Sequence, residues 1–152
     1  MALKERLRGD LTEAIRSRDE LTSGTIRMVL TAITMEEVSG KEARELSEAE
    51  VITVLSRESK KRREAAEAYD AGSRPDKAAL ERSEGEVIAR YLPAQLSVAE
   101  LSQMIDDAIA ETGAAGPSGM GLVMKVLSPK IAGKADGGVV SAAVKAALTK
   151  IL

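Results

Sequence analysis

Leu96-Ser97-Val98-Ala99-Glu100-Leu101, continuing through Met104, Ile105, Ala108 and Ile109 to Gly113, is the stretch whose reading decides the fold. Ser97 and Glu100 stand three apart, so hydroxyl and carboxylate can each accept a backbone amide that the first helical turn leaves unpartnered. Leu96 and Leu101 flank this capping box as a hydrophobic staple. The apolar residues that follow recur at helical spacing, and Gly113 supplies a stop.

The same pattern extends in both directions. Leu3, Leu7, Leu11 and Ile15 form one apolar stripe of a first helix, with Lys4, Arg6, Arg8 and Glu13 outward. A second helix is expected from near Thr22 or Ser23, burying Ile26, Val29, Leu30 and Ile33 and ending at Ser39-Gly40. Ser47-Glu48-Ala49-Glu50 is another capping box, opening a third helix with Val51, Val54, Leu55 and Ala65 that runs to Tyr69 before Gly72 stops it. Ser73-Arg74-Pro75 starts a fourth, carrying Leu80, Val87, Ile88 and Tyr91. Pro93 then biases Leu92 away from helical geometry, which marks a domain boundary. Downstream, a sixth helix from about Ser118 carries Met120, Val123, Met124 and Leu127, with Pro129 bending its last turn and Gly133 as its stop. Asp136 caps a last helix with Val140, Val144, Leu148 and Ile151 inward. No stretch alternates like a strand, so the prediction is an all-α protein: a four-helix bundle over 1–92 and a three-helix domain over 93–152.

Composition prunes the functions such a chain can have. Its 152 residues include no Cys, His, Phe or Trp and only two Tyr. That removes thiol and imidazole nucleophiles and bases, zinc thiolate sites and imidazole metal ligands. Neither a catalytic residue, a metal nor a cofactor is assigned. Two tyrosines, Tyr69 and Tyr91, cannot build a platform for stacking bases. No apolar run approaches a membrane span, and the charged start has no following signal-peptide core, so a cytoplasmic protein without a membrane partner is expected.

The net charge of −2 hides segregation. Ser97 to Thr112 holds Glu100, Asp106, Asp107 and Glu111 with no base, whereas Gly113 onward holds Lys125, Lys130, Lys134, Lys145 and Lys150 against Asp136 alone. The run Lys60-Lys61-Arg62-Arg63 forms a secondary basic patch, yet i,i+4 pairs Glu58–Arg62, Lys60–Glu64 and Arg63–Glu67 would make it an ordinary solvated helix face. Glu36-Glu37 and Asp106-Asp107 diverge by about 100° on a helix and suit a surface better than a metal site. Met120 and Met124, one turn apart, read as core filler. Two glycine-rich helix starts remain ambiguous. Ser118-Gly119-Met120-Gly121 either packs closely or receives a phosphate, without the spacing of a nucleotide loop. Ala132-Gly133-Lys134-Ala135-Asp136-Gly137-Gly138 either joins two helices or seats an RNA backbone.

Taken in order, Tyr91-Leu92-Pro93-Ala94-Gln95-Leu96-Ser97, Met120-Gly121-Leu122-Val123-Met124-Lys125 and Gly133-Lys134-Ala135-Asp136-Gly137-Gly138-Val139-Val140-Ser141 resemble the GatB/YqeY family. Thr25-Ile26-Arg27-Met28-Val29-Leu30 and Lys61-Arg62-Arg63-Glu64-Ala65-Ala66-Glu67-Ala68-Tyr69 extend the resemblance to nearly the whole chain. A departure is Gly138, where many members carry a Lys, which weakens phosphate contact at that turn. The resemblance implies a helical bundle followed by a three-helix tail. In the B subunit of the tRNA-dependent amidotransferase a similar tail helps grip tRNA, and the family is associated with glutamine-dependent carbon–nitrogen ligase activity.

Three hypotheses follow. The first is a non-catalytic module contacting tRNA or a tRNA-modifying complex through Lys125, Lys130, Gly133, Lys134, Gly137 and Lys145, with no DNA partner. The second is a protein interaction module docking through the acidic helix or the bundle. The third is an amidotransferase working through Lys, Ser or Tyr, which a chain lacking Cys, His and a strand-borne phosphate loop is ill equipped to be alone. Oligomeric state stays open at this level.

Overall fold

The computed structural model describes residues 2–151, which form seven α-helices and a short 3-10 turn, with no strand among the described residues. The all-α expectation holds. The chain divides into two compact units, Met1–Leu92 and Pro93–Leu152.

The first unit contains α1 (Leu3–Arg16), α2 (Glu20–Glu37), α3 (Glu48–Ala71) and α4 (Pro75–Ala89). Leu7, Ile26, Val29, Ile33, Val51, Val54, Leu55, Val87, Ile88 and Tyr91 make its core. Each fully buried aliphatic there contributes about 1.5–3 kcal/mol relative to exposure. α2 begins at Glu20 rather than near Thr22, because the Asp19 carboxylate accepts the Thr22 amide at 3.0 Å and captures the start earlier. It also ends at Glu37, short of Ser39-Gly40. The α1–α2 turn places Arg18 in left-handed geometry, φ 58°, with the Asp19 amide donating to the Ala14 carbonyl at 2.9 Å. The α3–α4 turn repeats this arrangement: α3 continues to Ala71, Gly72 is an unstrained cap, and Ser73 takes the left-handed position at φ 58°. There the Arg74 amide donates to the Tyr69 carbonyl at 2.8 Å, closing a Schellman motif without glycine in its usual place.

Two predicted core residues lie outside it. Ile15 is 50% and Leu80 54% exposed, since each sits where no neighbouring helix covers its stripe. Charged contacts finish the unit. Lys4 donates to Glu37 at 2.8 Å, and Glu37 also accepts the Leu46 amide at 3.2 Å; these bonds, the Lys4 one foremost, lower its pKa. Arg44 grips Glu50 through both guanidinium nitrogens at 2.8 and 2.9 Å. Glu50 also completes the capping box by accepting the Ser47 amide at 2.8 Å, and its pKa falls to about 2, with the Arg44 hydrogen bond the largest cause.

The second unit contains α5 (Val98–Thr112), the 3-10 turn (Pro117–Gly119), α6 (Met120–Ile131) and α7 (Gly137–Thr149). The capping box forms as read, the Ser97 hydroxyl accepting the Glu100 amide at 3.1 Å, and Gly113 turns left-handed at φ 68°. Leu96 and Leu101 both pack into a core of Ile105, Val123, Leu127, Val140, Val144 and Leu148. The sixth helix starts at Met120, two residues later than expected, because Pro117–Gly119 tightens into a 3-10 turn first. Within that turn Gly119 is pressed against Ala114, where an added Cβ would lie 2.7 Å from the Ala114 Cβ. α6 passes through Pro129 and ends at Ile131. Ile151 is 44% exposed instead of inward, lying past the end of α7.

Candidate functional site

Gly133 to Gly138 joins α6 to α7. Gly133 adopts φ 73°, and the Lys134 amide donates to the Ile131 carbonyl at 2.8 Å, turning the chain out of α6. Two carbonyls of the turn are held from another segment. The Gln95 side-chain amide donates to the Gly133 carbonyl at 2.8 Å, and the Leu96 amide donates to the Lys134 carbonyl at 2.9 Å. Two of the sequence motifs, residues 91–97 and 133–141, thus meet here. At the start of α7 the Asp136 carboxylate accepts the Gly138 amide at 3.1 Å. A negative group therefore already occupies part of the helix N-terminus that a phosphate would use.

Lys125, Lys130, Lys134 and Lys145 are all exposed. Lys125 and Lys130 are five positions apart on α6, about 140° around it, so they do not share one face. Lys130 also lies 3.8 Å from Glu111 of α5, a solvent-exposed pair of modest strength. Gly137 is the first residue of α7, and Lys145 lies eight residues further along that helix. The other glycine-rich start resolves differently. Gly119 is buried by close packing, whereas Gly121 has open space around it.

The secondary basic run is engaged within its own unit. Arg62 does not pair with Glu58; it crosses to α4, reaching Glu81 at 3.3 Å and Glu84 at 3.1 Å. Glu58 instead pairs with Lys61 at 3.0 Å, and Lys60 pairs with Glu64 at 3.9 Å as the spacing implied. Arg63 follows on the same helix and also has a partner. Lys60, Lys61 and Arg63 are exposed, whereas Arg62 is turned toward α4 and is not part of a solvated face.

Sequence reasoning missed Gln95, whose partner lies 38 residues away with no local signal to announce it. It also missed the setting of Tyr91. The phenol donates to Asp10 at 2.6 Å, the Arg6 guanidinium stands 4.7 Å over the ring, and Arg6 donates to the Arg90 carbonyl at 3.2 Å. Burial first, then the Asp10 carboxylate, push the Tyr91 pKa up to about 12. Tyr91 is thereby a locked structural group, poorly suited to proton transfer near neutrality.

No group of three or more potential metal-ligating side chains occurs among the described residues, and no described helix is long and apolar enough to cross a membrane. The molecule is thus an all-helical, two-unit protein whose glycine turn, with the five lysines that follow Gly113, lies in the second unit. It belongs to the Yqey-like protein family, whose model matches residues 4–148. No curated protein matches the chain.

Proposed function

We propose that the protein is a non-catalytic RNA-contacting module whose second unit engages the phosphate backbone of tRNA, alone or within a tRNA-modifying complex. The observation that carries this reading is charge segregation: from Gly113 onward five lysines face a single acid, in a chain of net charge −2. Lys125, Lys130, Lys134 and Lys145 supply the contacts, and the turn from Gly133 to Gly137 allows close approach. The absence of Cys and His supports a binding role over catalysis, because amide-transfer chemistry needs an activated nucleophile and a base. With few aromatic rings, the recognition is of backbone and shape rather than base sequence.

The test is anisotropy of labelled tRNA at two salt concentrations, beside a duplex RNA control. Four phosphate contacts give a slope of log affinity on log salt of about −3 to −3.6, so a fourfold rise in salt weakens binding about a hundredfold. Lys130→Glu with Lys134→Glu weakens binding and flattens that slope while leaving helicity intact. Absence of binding at low salt, or affinity unmoved by the double substitution, refutes the reading.

A further inference from the structure

Between α5 and α7 runs an open groove of about 760 Å³. Aliphatic side chains on it stand in water: Val98 is 88%, Val139 56% and Ile151 44% exposed. Ala143 keeps the floor shallow enough for another helix to approach. One acidic and one basic side chain line it from opposite sides. Of the four acids on α5, which carries no base, Asp106 lines the groove. On the α7 side Lys150 lines the groove.

We propose that this face is an interface between two copies of the chain. A two-fold axis running along the groove would set the Asp106 side of one copy against the Lys150 side of the other, twice over. An axis across the groove would oppose like charges, so the charge pattern selects one arrangement as well as permitting it. The same operation covers Val98, Val139 and Ile151, exposed aliphatic side chains that line the groove. A helix from another protein would need to carry both charge edges itself, whereas a second copy has them by symmetry.

The experiment is sedimentation equilibrium of the full chain over a concentration series. The mass should rise from 16.1 kDa toward twice that value. Val139→Glu, on the first turn of α7 where an acid suits the helix, should weaken association about tenfold or more without loss of helicity. Asp106→Lys and Lys150→Glu should each weaken it several-fold, because each places like charges across both symmetric contacts. Mixing these two single variants in equal amounts restores opposite charges at both contacts, and association should recover. A monomer at every concentration overturns the proposal and leaves the groove to a helix of another protein. Association unmoved by Val139→Glu, or unrestored by mixing, overturns it as well.

Discussion

Replacing Tyr91 with Phe tests whether the phenol–carboxylate contact holds the end of α4 to α1. Tyr91 is only 6% exposed, and its hydroxyl donates to Asp10 Oδ2 at 2.6 Å. A hydrogen bond to a charged acceptor is worth about 1.5–3 kcal/mol. Asp10 is half-buried and regains water when the hydroxyl is removed, which brings the expected loss to about 1–2 kcal/mol. Phe preserves the ring beneath Arg6, so the cation–π contact at 4.7 Å stays and the substitution isolates the hydroxyl. In a unit of this size such a loss lowers Tm by about 4–16 °C. Circular dichroism melts of wild type, Tyr91→Phe, Asp10→Ala and the double variant form a cycle. A coupling energy below about 0.3 kcal/mol would refute the contact as a source of stability.

The same group gives a pH signature. Its folded pKa is raised to about 12 from an ordinary 10.0, so the neutral phenol is favoured in the folded state. The stability it contributes is fully present below pH 10 and is lost as pH rises through about 12. With Tyr69 changed to Phe, Tyr91 is the sole tyrosine and its ionisation can be followed by ultraviolet absorbance. Titration at the ordinary value in the folded protein would show that the phenol is not held as described.

Two further outcomes follow from local geometry. Gly119→Ala should destabilise the second unit by about 1–3 kcal/mol, since the new Cβ would meet Ala114 at 2.7 Å, whereas Gly121→Ala, in open space on the first turn of α6, should stabilise it by about 0.5–1 kcal/mol; denaturant melts compare the two. Glu50, with its pKa lowered to about 2, contributes stability that is present above its ordinary value of 4.5 and is lost as pH falls toward 2, so Glu50→Gln should flatten the acid limb of a stability profile.

The sequence was most readable where donor and acceptor lie within three residues. Both capping boxes, at Ser47 and Ser97, formed as read because each needs nothing beyond its own first turn. Turns that break the glycine rule were not readable: Arg18 and Ser73 occupy left-handed positions that composition gives no reason to assign them. Periodicity located the apolar stripes correctly but could not say how far a neighbouring helix would extend over them, which is why Ile15 and Leu80 remain in solvent. Arg62 shows the same limit in charge. The i,i+4 rule offered Glu58, and the approach of α4 supplied Glu81 and Glu84 instead.

At the glycine turn, the lysines and glycines named together by sequence take separate roles in structure. The carbonyls of Gly133 and Lys134 are both held by the Gln95-Leu96 segment, and Asp136 accepts the Gly138 amide. Those backbone groups are committed to joining α6 to α7, so under the proposed function phosphate contact would rest mainly on side chains projecting from the turn and helices. Substituting Gly133, whose φ of 73° strains any other residue, therefore perturbs the fold and is a poor test of the proposed RNA contact. Substituting Lys125 or Lys145, exposed on α6 and α7, leaves that joint intact and so tests the proposed RNA contact directly. Because Lys125 and Lys130 point about 140° apart, one phosphate cannot engage both directly, and a backbone that contacts both must wrap α6.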